Sequence, residues 1–176
     1  MIYVPVVVEK SLKNVVGNKM KKKLTLTIVQ KNNYILLGLK KRGFGLGRWN
    51  GFGGKVCKNE TIKEAAVREL KEESGIIAKD INRLGVLEFH FENLEDILEV
   101  HVYKVTDFSK EPIETEEMKP KWFSINEIPF DLMWPDDIYW MPYLLNDKRF
   151  IGKFIFDKPS DNKYQSKIKS YDIKEV

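Results

Sequence analysis

RELKEESG, residues 68–75, gathers Glu69, Glu72 and Glu73 into eight residues that end on Gly75. The run closes a segment, 61–74, that reads as a helix. Thr61 with Glu64 three residues later makes a capping box, and Gly75 suits the left-handed residue after a last turn. At about 100° per residue, Ile62, Ala65 and Ala66 lie within roughly 60° of Glu69, and so do Glu72 and Glu73. One stripe thus starts apolar and ends acidic, and packing its apolar half carries the carboxylates toward the protein body. Like charges at these spacings repel, and they stand at the helix end whose dipole disfavours anions. Most acidic helical runs are solvated faces, but here the acids continue the packed stripe. Carboxylate oxygens are ligands of hard cations such as Mg²⁺, which would relieve both penalties.

Around this helix the chain reads mostly as strands. LTLTIV (24–29) alternates at period two, and YILLGL (34–39) returns after a KNN turn. GFGLGRWNGFGG (43–54) holds six of the eleven glycines, so it is a loop needing positive φ or close backbone approach. VLEFHF (86–91), LEVHVYKV (98–105), KWFSI (121–125), FIGKFIF (150–156) and the tail YDIKEV (171–176) complete the strands. MWPDDIYWMPYLL (133–145) begins as a loop and continues as a short helix. The expected class is α+β, a mixed sheet with helices packed on it.

The formal net charge of +4 is unevenly placed. Residues 1–23 carry six lysines against Glu9, a net of +5, which leaves 4 − 5 = −1 for 24–176. The expected division is a mobile basic extension, 1–23, and one domain, 24–176. A near-neutral body argues against a nucleic-acid polymer as partner. No apolar run is long enough to cross a bilayer, and the start of the chain lacks the pattern of a secretory signal. Cys57 is the single cysteine, which fits a reducing compartment. The cytoplasm is the expected location, with nuclear and mitochondrial fractions allowed, and a monomer the expected state.

The frame of the acidic stripe is Gly54, five residues, Glu60, seven residues, Arg68-Glu69-Leu70, one residue, Glu72-Glu73, one residue, Gly75-Ile76. It resembles the complete signature of the Nudix hydrolases, with all nine specified positions filled over residues 54–76. The resemblance implies an α/β/α sandwich, Mg²⁺ as cofactor, and attack of water on a phosphorus of a nucleoside diphosphate linked to another group. The family's metal ligands fall on Glu69, Glu72 and Glu73, which are also the expected catalytic residues, with Glu73 closest to water activation. Glu60 and Arg68 match the ion pair that orients the helix.

The likeness extends to LKKRGFGLGRWNGFGGKV (39–56), EMKPKWF (117–123) and MWPDDIYW (133–140). These resemble the branch of the family that hydrolyses oxidised purine nucleoside triphosphates, such as 8-oxo-dGTP and 2-hydroxy-dATP, to monophosphate and pyrophosphate, sanitising the nucleotide pool. Carried over by position, Thr25, Asn50, Trp134, Pro135, Asp136 and Asp137 match the base pocket. Lys40, Phe52, Gly53, Gly54 and Lys55 match nucleotide and phosphate contacts. The Gly53 carbonyl and Glu117 match further metal ligands, and Phe44, Phe89, Leu98, Met118 and Trp140 match apolar walls. Leu98 stands where a mammalian relative has methionine. Plainer readings stay open: Thr25 as a core residue, Asn50 as a turn residue, Trp134 and Trp140 as core, one aspartate as an N-cap. So do other functions, namely a Nudix hydrolase of ADP-ribose, a dinucleotide or an RNA cap, and a non-catalytic nucleotide- or RNA-binding module.

Overall fold

The computed structural model describes residues 20–159 and 166–176. The strands are β1 (Lys21–Lys31), β2 (Tyr34–Lys40), β3 (Trp49–Asn50), β4 (Ile77–Ala78), β5 (Asn82–Phe91), β6 (Ile97–Val105), β7 (Phe108–Ser109), β8 (Met118–Ser124), β9 (Phe150–Phe156) and β10 (Ile168–Glu175); the helices are α1 (Ile62–Ser74) and α2 (Asp137–Leu145). Strand order is β10-β9-β5-β6-β1-β2-β3, with β8 also on β2, and β4 pairs β7 apart from this sheet. β1–β6 and β5–β9 are parallel and the other pairs antiparallel, so the sheet is mixed, as expected. Pro120 lacks a donor for a ladder and sits in β8, where β2 is the partner strand. No described helix is long and apolar enough to cross a membrane.

Alternation along the strands builds two cores. Leu24, Leu26 and Ile28 of β1, with Leu98, Val100 and Val102 of β6, pack toward Trp140, Met141 and Leu144 of α2. Val29, Leu36, Phe52, Tyr103 and Val105 pack on the other face with Ala66 and Leu70 of α1. A helix on each side of one sheet is the α/β/α sandwich.

The glycine-rich segment does something the pattern did not foretell. After β3 it runs alongside β1, bridging Thr27↔Phe52 and Leu24↔Lys55. The Thr25 amide donates to the Gly54 carbonyl at 2.8 Å, and the Phe52 amide to the Thr27 carbonyl at 2.9 Å. The approach requires glycine at 53, because a Cβ there would lie 1.9 Å from the Thr25 carbonyl oxygen.

One boundary differs from expectation. Lys21, Lys22 and Lys23 belong to β1, in register with Ile97, Leu98 and Glu99 of β6. Lys22 pairs with Asp96 at 2.5 Å, and Lys21 with Glu88 and Glu99. The three lysines therefore read as extension because of their charge, while acids of β5, β6 and the turn between them balance Lys21 and Lys22. The rest of the expected extension, 1–19, lies outside the described residues. A chain starting at Leu24 loses three of the nine β1–β6 register pairs that one starting at Met20 keeps. It is expected to melt several degrees lower by calorimetry, at about 2–4 °C for each kcal/mol lost. Equal melting would show that these pairs contribute nothing.

Candidate active site

α1 forms as its caps predict. The Thr61 hydroxyl accepts from the Glu64 amide at 3.2 Å and the Glu64 carboxylate accepts from the Thr61 amide at 2.7 Å. Gly75 takes φ of 76° and its amide donates to the Lys71 carbonyl at 2.8 Å. Ala65, Ala66 and Leu70 are fully buried, and the stripe they begin carries Glu69 and Glu73 inward to 8% and 3% exposure, while Glu72 stays exposed.

Arg68 organises this end of the helix. Its Nε and Nη2 grip Glu60 at 3.0 and 2.8 Å, and its Nη1 reaches Glu69 at 2.8 Å and Glu72 at 3.2 Å. Arg68 pulls the Glu60 carboxyl down to about 2, and its own pKa is raised by Glu60 against the cost of burial. The expected Glu60–Arg68 pair is therefore present, in the forked geometry that arginine gives a carboxylate. Glu73 accepts from the Gly53 amide at 3.0 Å and lies 3.6 Å from Lys40. Burial raises its pKa, against the pull of Lys40 and the Gly53 amide. Glu117 lies 3.3 Å from Lys40 and 2.9 Å from Arg42. Burial pushes the Glu117 pKa up, but these two cations outweigh it and hold the carboxyl below its ordinary value.

The donor set suits a hard divalent cation: carboxylates of Glu69, Glu72, Glu73 and Glu117, with the Gly53 backbone beside Glu73. Among the described residues, no three acids already converge on one metal-sized point. Lys40, Arg42 and Arg68 hold the carboxylates apart and carry the balancing charge. The chemistry of the donors fits, and the side chains would have to turn from their cations toward the metal.

A second cavity, of about 70 Å³, opens on the α2 face of the sheet. Phe44, Phe89, Leu98 and Trp134 wall it, and Asn50, Asp136, Asp137 and Ser166 are its polar lining residues. The Asp137 carboxylate accepts from the Trp134 amide at 3.1 Å, and Asp136 accepts from the Trp140 indole at 3.0 Å. Asp136 holds the N-cap position of α2, yet its side chain makes no capping bond. Burial raises the Asp136 carboxyl to about 6, and burial plus the Asp136 charge raises Asp137 well above the ordinary value.

The other expected site residues are spread over the core, the acidic cluster and the surroundings of the pocket. Thr25 is fully buried and bonds only weakly to Gly54, on the face opposite Leu24 and Leu26, so it does not line the base pocket. Phe52 is a core residue of the α1 side, its backbone committed to Thr27. Trp140 is fully buried behind Asp136, supporting the pocket without lining it. Met118 lines a small neighbouring recess with Lys40 and Gly45. Lys40 faces Glu73 and Glu117, Gly54 is held to Thr25, and Lys55 is exposed with its carbonyl on Arg68. Pro135 is half-buried in the turn between Trp134 and the aspartates. The sequence reading missed Ser166, Phe91 and Phe156, which close the cavity's other end, and Arg48, whose guanidinium lies on the Trp134 ring and acts electrostatically on the aspartates. Arg48's place within a glycine-rich loop was the one available signal for it.

The family model for the NUDIX domain matches residues 22–144. The zebrafish (Danio rerio) oxidized purine nucleoside triphosphate hydrolase is 49% identical over 135 residues, 77% of this chain and 86% of that one. The mouse (Mus musculus) protein of the same name is 45% identical over 152 residues, 86% and 94% of the two chains. A MutT protein from Bacillus halodurans superposes with a TM-score of 0.74 at 25% identity, covering 86% of this chain and 97% of that one. With more than two thirds of its length matched by the family model, and the signature's caps, ion pair and buried acids in place, this chain belongs to the Nudix family.

Proposed function

We propose that this chain hydrolyses oxidised purine nucleoside triphosphates to the monophosphate and pyrophosphate, with Mg²⁺ as its metal. The observation that carries the proposal is the buried Asp136–Asp137 pair at the polar end of an apolar cavity, close to the acidic end of α1. Asn50 lines the cavity and Gly53 touches Glu73. Three residues, roughly 10 Å of extended chain, separate them, so one nucleotide can span base pocket and acidic cluster. The two animal relatives bear the name of that activity.

An oxidised purine differs from its normal form by an oxygen and an N–H, and an apolar pocket separates such analogues poorly. Polar groups at the base edge are needed. Ionised carboxylates only accept, so they suit the N1–H and 2-amino donors of guanine, and they repel O6 unless one keeps its proton. Two adjacent buried aspartates share protons as a coupled unit. Moving one proton between them presents a donor in either of two places, which suits an oxidised guanine or an oxidised adenine.

Nudix hydrolases as a family use a divalent metal. Bound by Glu69, Glu72, Glu73 and Glu117 with the Gly53 carbonyl, it supplies positive charge against the phosphate oxygens. The chain's own groups do the rest. Glu73 takes a proton from the water that attacks phosphorus, a role its raised pKa favours. Glu60 and Arg68 fix the end of α1, and Lys40 turns from Glu73 and Glu117 toward phosphate.

A product-resolved screen of 8-oxo-dGTP, 2-hydroxy-dATP, dGTP and ADP-ribose tests the activity. Monophosphate and pyrophosphate are expected, fastest from the oxidised triphosphates and abolished by chelation. Preference for ADP-ribose, or no product from any, would overturn the proposal. Glu73→Gln is expected to lower kcat by about a hundredfold or more while the fold persists; normal turnover would remove Glu73 from the chemistry.

Asp136→Asn and Asp137→Asn are expected to change the ratio of 8-oxo-dGTP to 2-hydroxy-dATP turnover, leaving metal affinity nearly unaltered. Equal loss on every nucleotide, unoxidised ones included, would make the pair purely structural. The pair also sets a pH dependence of stability. Both folded pKa values are raised above 3.8, so the native state binds more protons than the unfolded one, and stability falls as pH rises from about 4 through about 6. That fall should shrink in Asp136→Asn, as read from melting temperatures over a pH series. An unchanged slope would show that the pair does not titrate this way.

A further inference from the structure

Beside the base pocket stands a buried cation with no part in the chemistry above. Arg48 is 5% exposed. Its loop is turned by Gly43, Gly45 and Gly47, with φ of 70°, 83° and 82°. The Arg48 amide donates to the Gly45 carbonyl at 2.9 Å and its carbonyl accepts from Lys40 at 3.0 Å, which closes the loop on the end of β2. The side chain then runs inward. Nη1 donates to the Met133 carbonyl, and Cζ lies 4.3 Å from the centre of the Trp134 ring. A desolvated guanidinium on an indole face is the strongest form of the cation–π contact. Phe44 stacks on the same indole at 5.0 Å and 20°, so the ring is held by two residues of one loop.

The same guanidinium acts on both aspartates. Their other neighbours are neutral: Asn50 from β3, the Trp134 amide from the turn, and the Trp140 indole from α2. The charged groups that act on the pair are its own members and Arg48. Burying an arginine is costly unless charge and hydrogen bonds compensate it. Here the Met133 carbonyl, the Trp134 ring and the two aspartates, all of the base pocket or the turn that carries Trp134, are among the compensating groups.

We propose that Arg48 is a positioning residue for base recognition, holding the Trp134 indole in place and supplying the positive charge beside the Asp136–Asp137 pair. This rests on the base-pocket assignment, so the test carries Asp137→Asn as a reference. Arg48→Met keeps length and loses charge, while Arg48→Lys keeps charge and loses the flat stack. Steady-state kinetics with 8-oxo-dGTP over a pH series are compared among these variants, with melting temperatures alongside.

For Arg48→Met, KM is expected to rise by about tenfold or more with kcat changing far less, and the pH midpoint of KM to move upward as the aspartates lose their cation. Arg48→Lys is expected to keep the midpoint near that of the parent and raise KM by a smaller factor. A folded Arg48→Met protein with parental KM and midpoint, changed only in melting temperature, would overturn the proposal. Should Arg48→Met fail to fold, parental KM in Arg48→Lys would overturn it and a raised KM would support it. If Asp137→Asn alters base preference while neither Arg48 variant alters KM, the Arg48 proposal alone falls. If Asp137→Asn leaves base preference unchanged, the base pocket is wrongly assigned and the Arg48 role falls with it.

Discussion

The Thr25 carbonyl oxygen lies where any side chain at position 53 would begin, 1.9 Å from the place of a Cβ. That contact lets the Gly51–Gly54 backbone run hard against β1, and both halves of the site hang from the segment. Asn50, at its start, faces the cavity on the α2 side. Gly53, three residues on, gives its amide to Glu73 at the end of α1. A side chain at 53 would push this backbone off β1 and separate the acidic cluster from the pocket. The glycines of 43–47 serve a different end: they take positive φ so that the loop can turn back with Arg48 pointing inward.

The acidic end of α1 gains nothing from local helix energetics. Three carboxylates at i, i+3 and i+4 repel one another and the helix dipole. Lys40 beside Glu73 and Arg68 on Glu69 and Glu72 offset that penalty, and Arg42 pairs with Glu117 next to them. They do so from different elements, so the network also ties β2, its following loop and α1 together. The Thr115 hydroxyl, donating to the Glu73 carbonyl at 3.3 Å and accepting from the Glu117 and Met118 amides at 3.3 and 3.1 Å, joins the β8 side to it.

What the sequence made legible was local or periodic. The capping box, Gly75 and the half-apolar stripe of 61–74 are all written within the fifteen residues 61–75, and α1 has each of them. The Glu60–Arg68 pair came from the resemblance to the family signature, and the two side chains do meet. Thr25 stands apart from the cavity for a physical reason. In a strand, a shift of one residue moves a side chain to the opposite face, and it is Leu24 and Leu26 that look toward the α2 side. The segment of Phe52 pairs with β1, which turns its ring into the other core. Lys21–Lys23 were hidden because charge was weighed before the acids across the sheet were known. Arg48 and Ser166 reach the pocket through contacts distant in sequence, which no local pattern encodes.

Two sets of buried acids serve one proposed reaction, and their surroundings set their roles apart. Burial raises the Glu73 carboxyl, while a lysine 3.6 Å away and a backbone amide on its carboxylate pull the other way, so an arriving cation would tip it to the ionised form. Asp136 and Asp137 are met chiefly by neutral donors, the Trp140 indole and the Trp134 amide. Burial and mutual repulsion keep a proton available there at pH values where an ordinary aspartate has none. A carboxyl group that keeps its proton can donate as well as accept, which recognition of a base edge needs. A carboxylate ionised by an arriving cation can bind it, which cleavage needs. With the two sets on opposite faces of one sheet, separated by the Asn50–Gly53 backbone, each can hold its own protonation state while a single nucleotide bridges them.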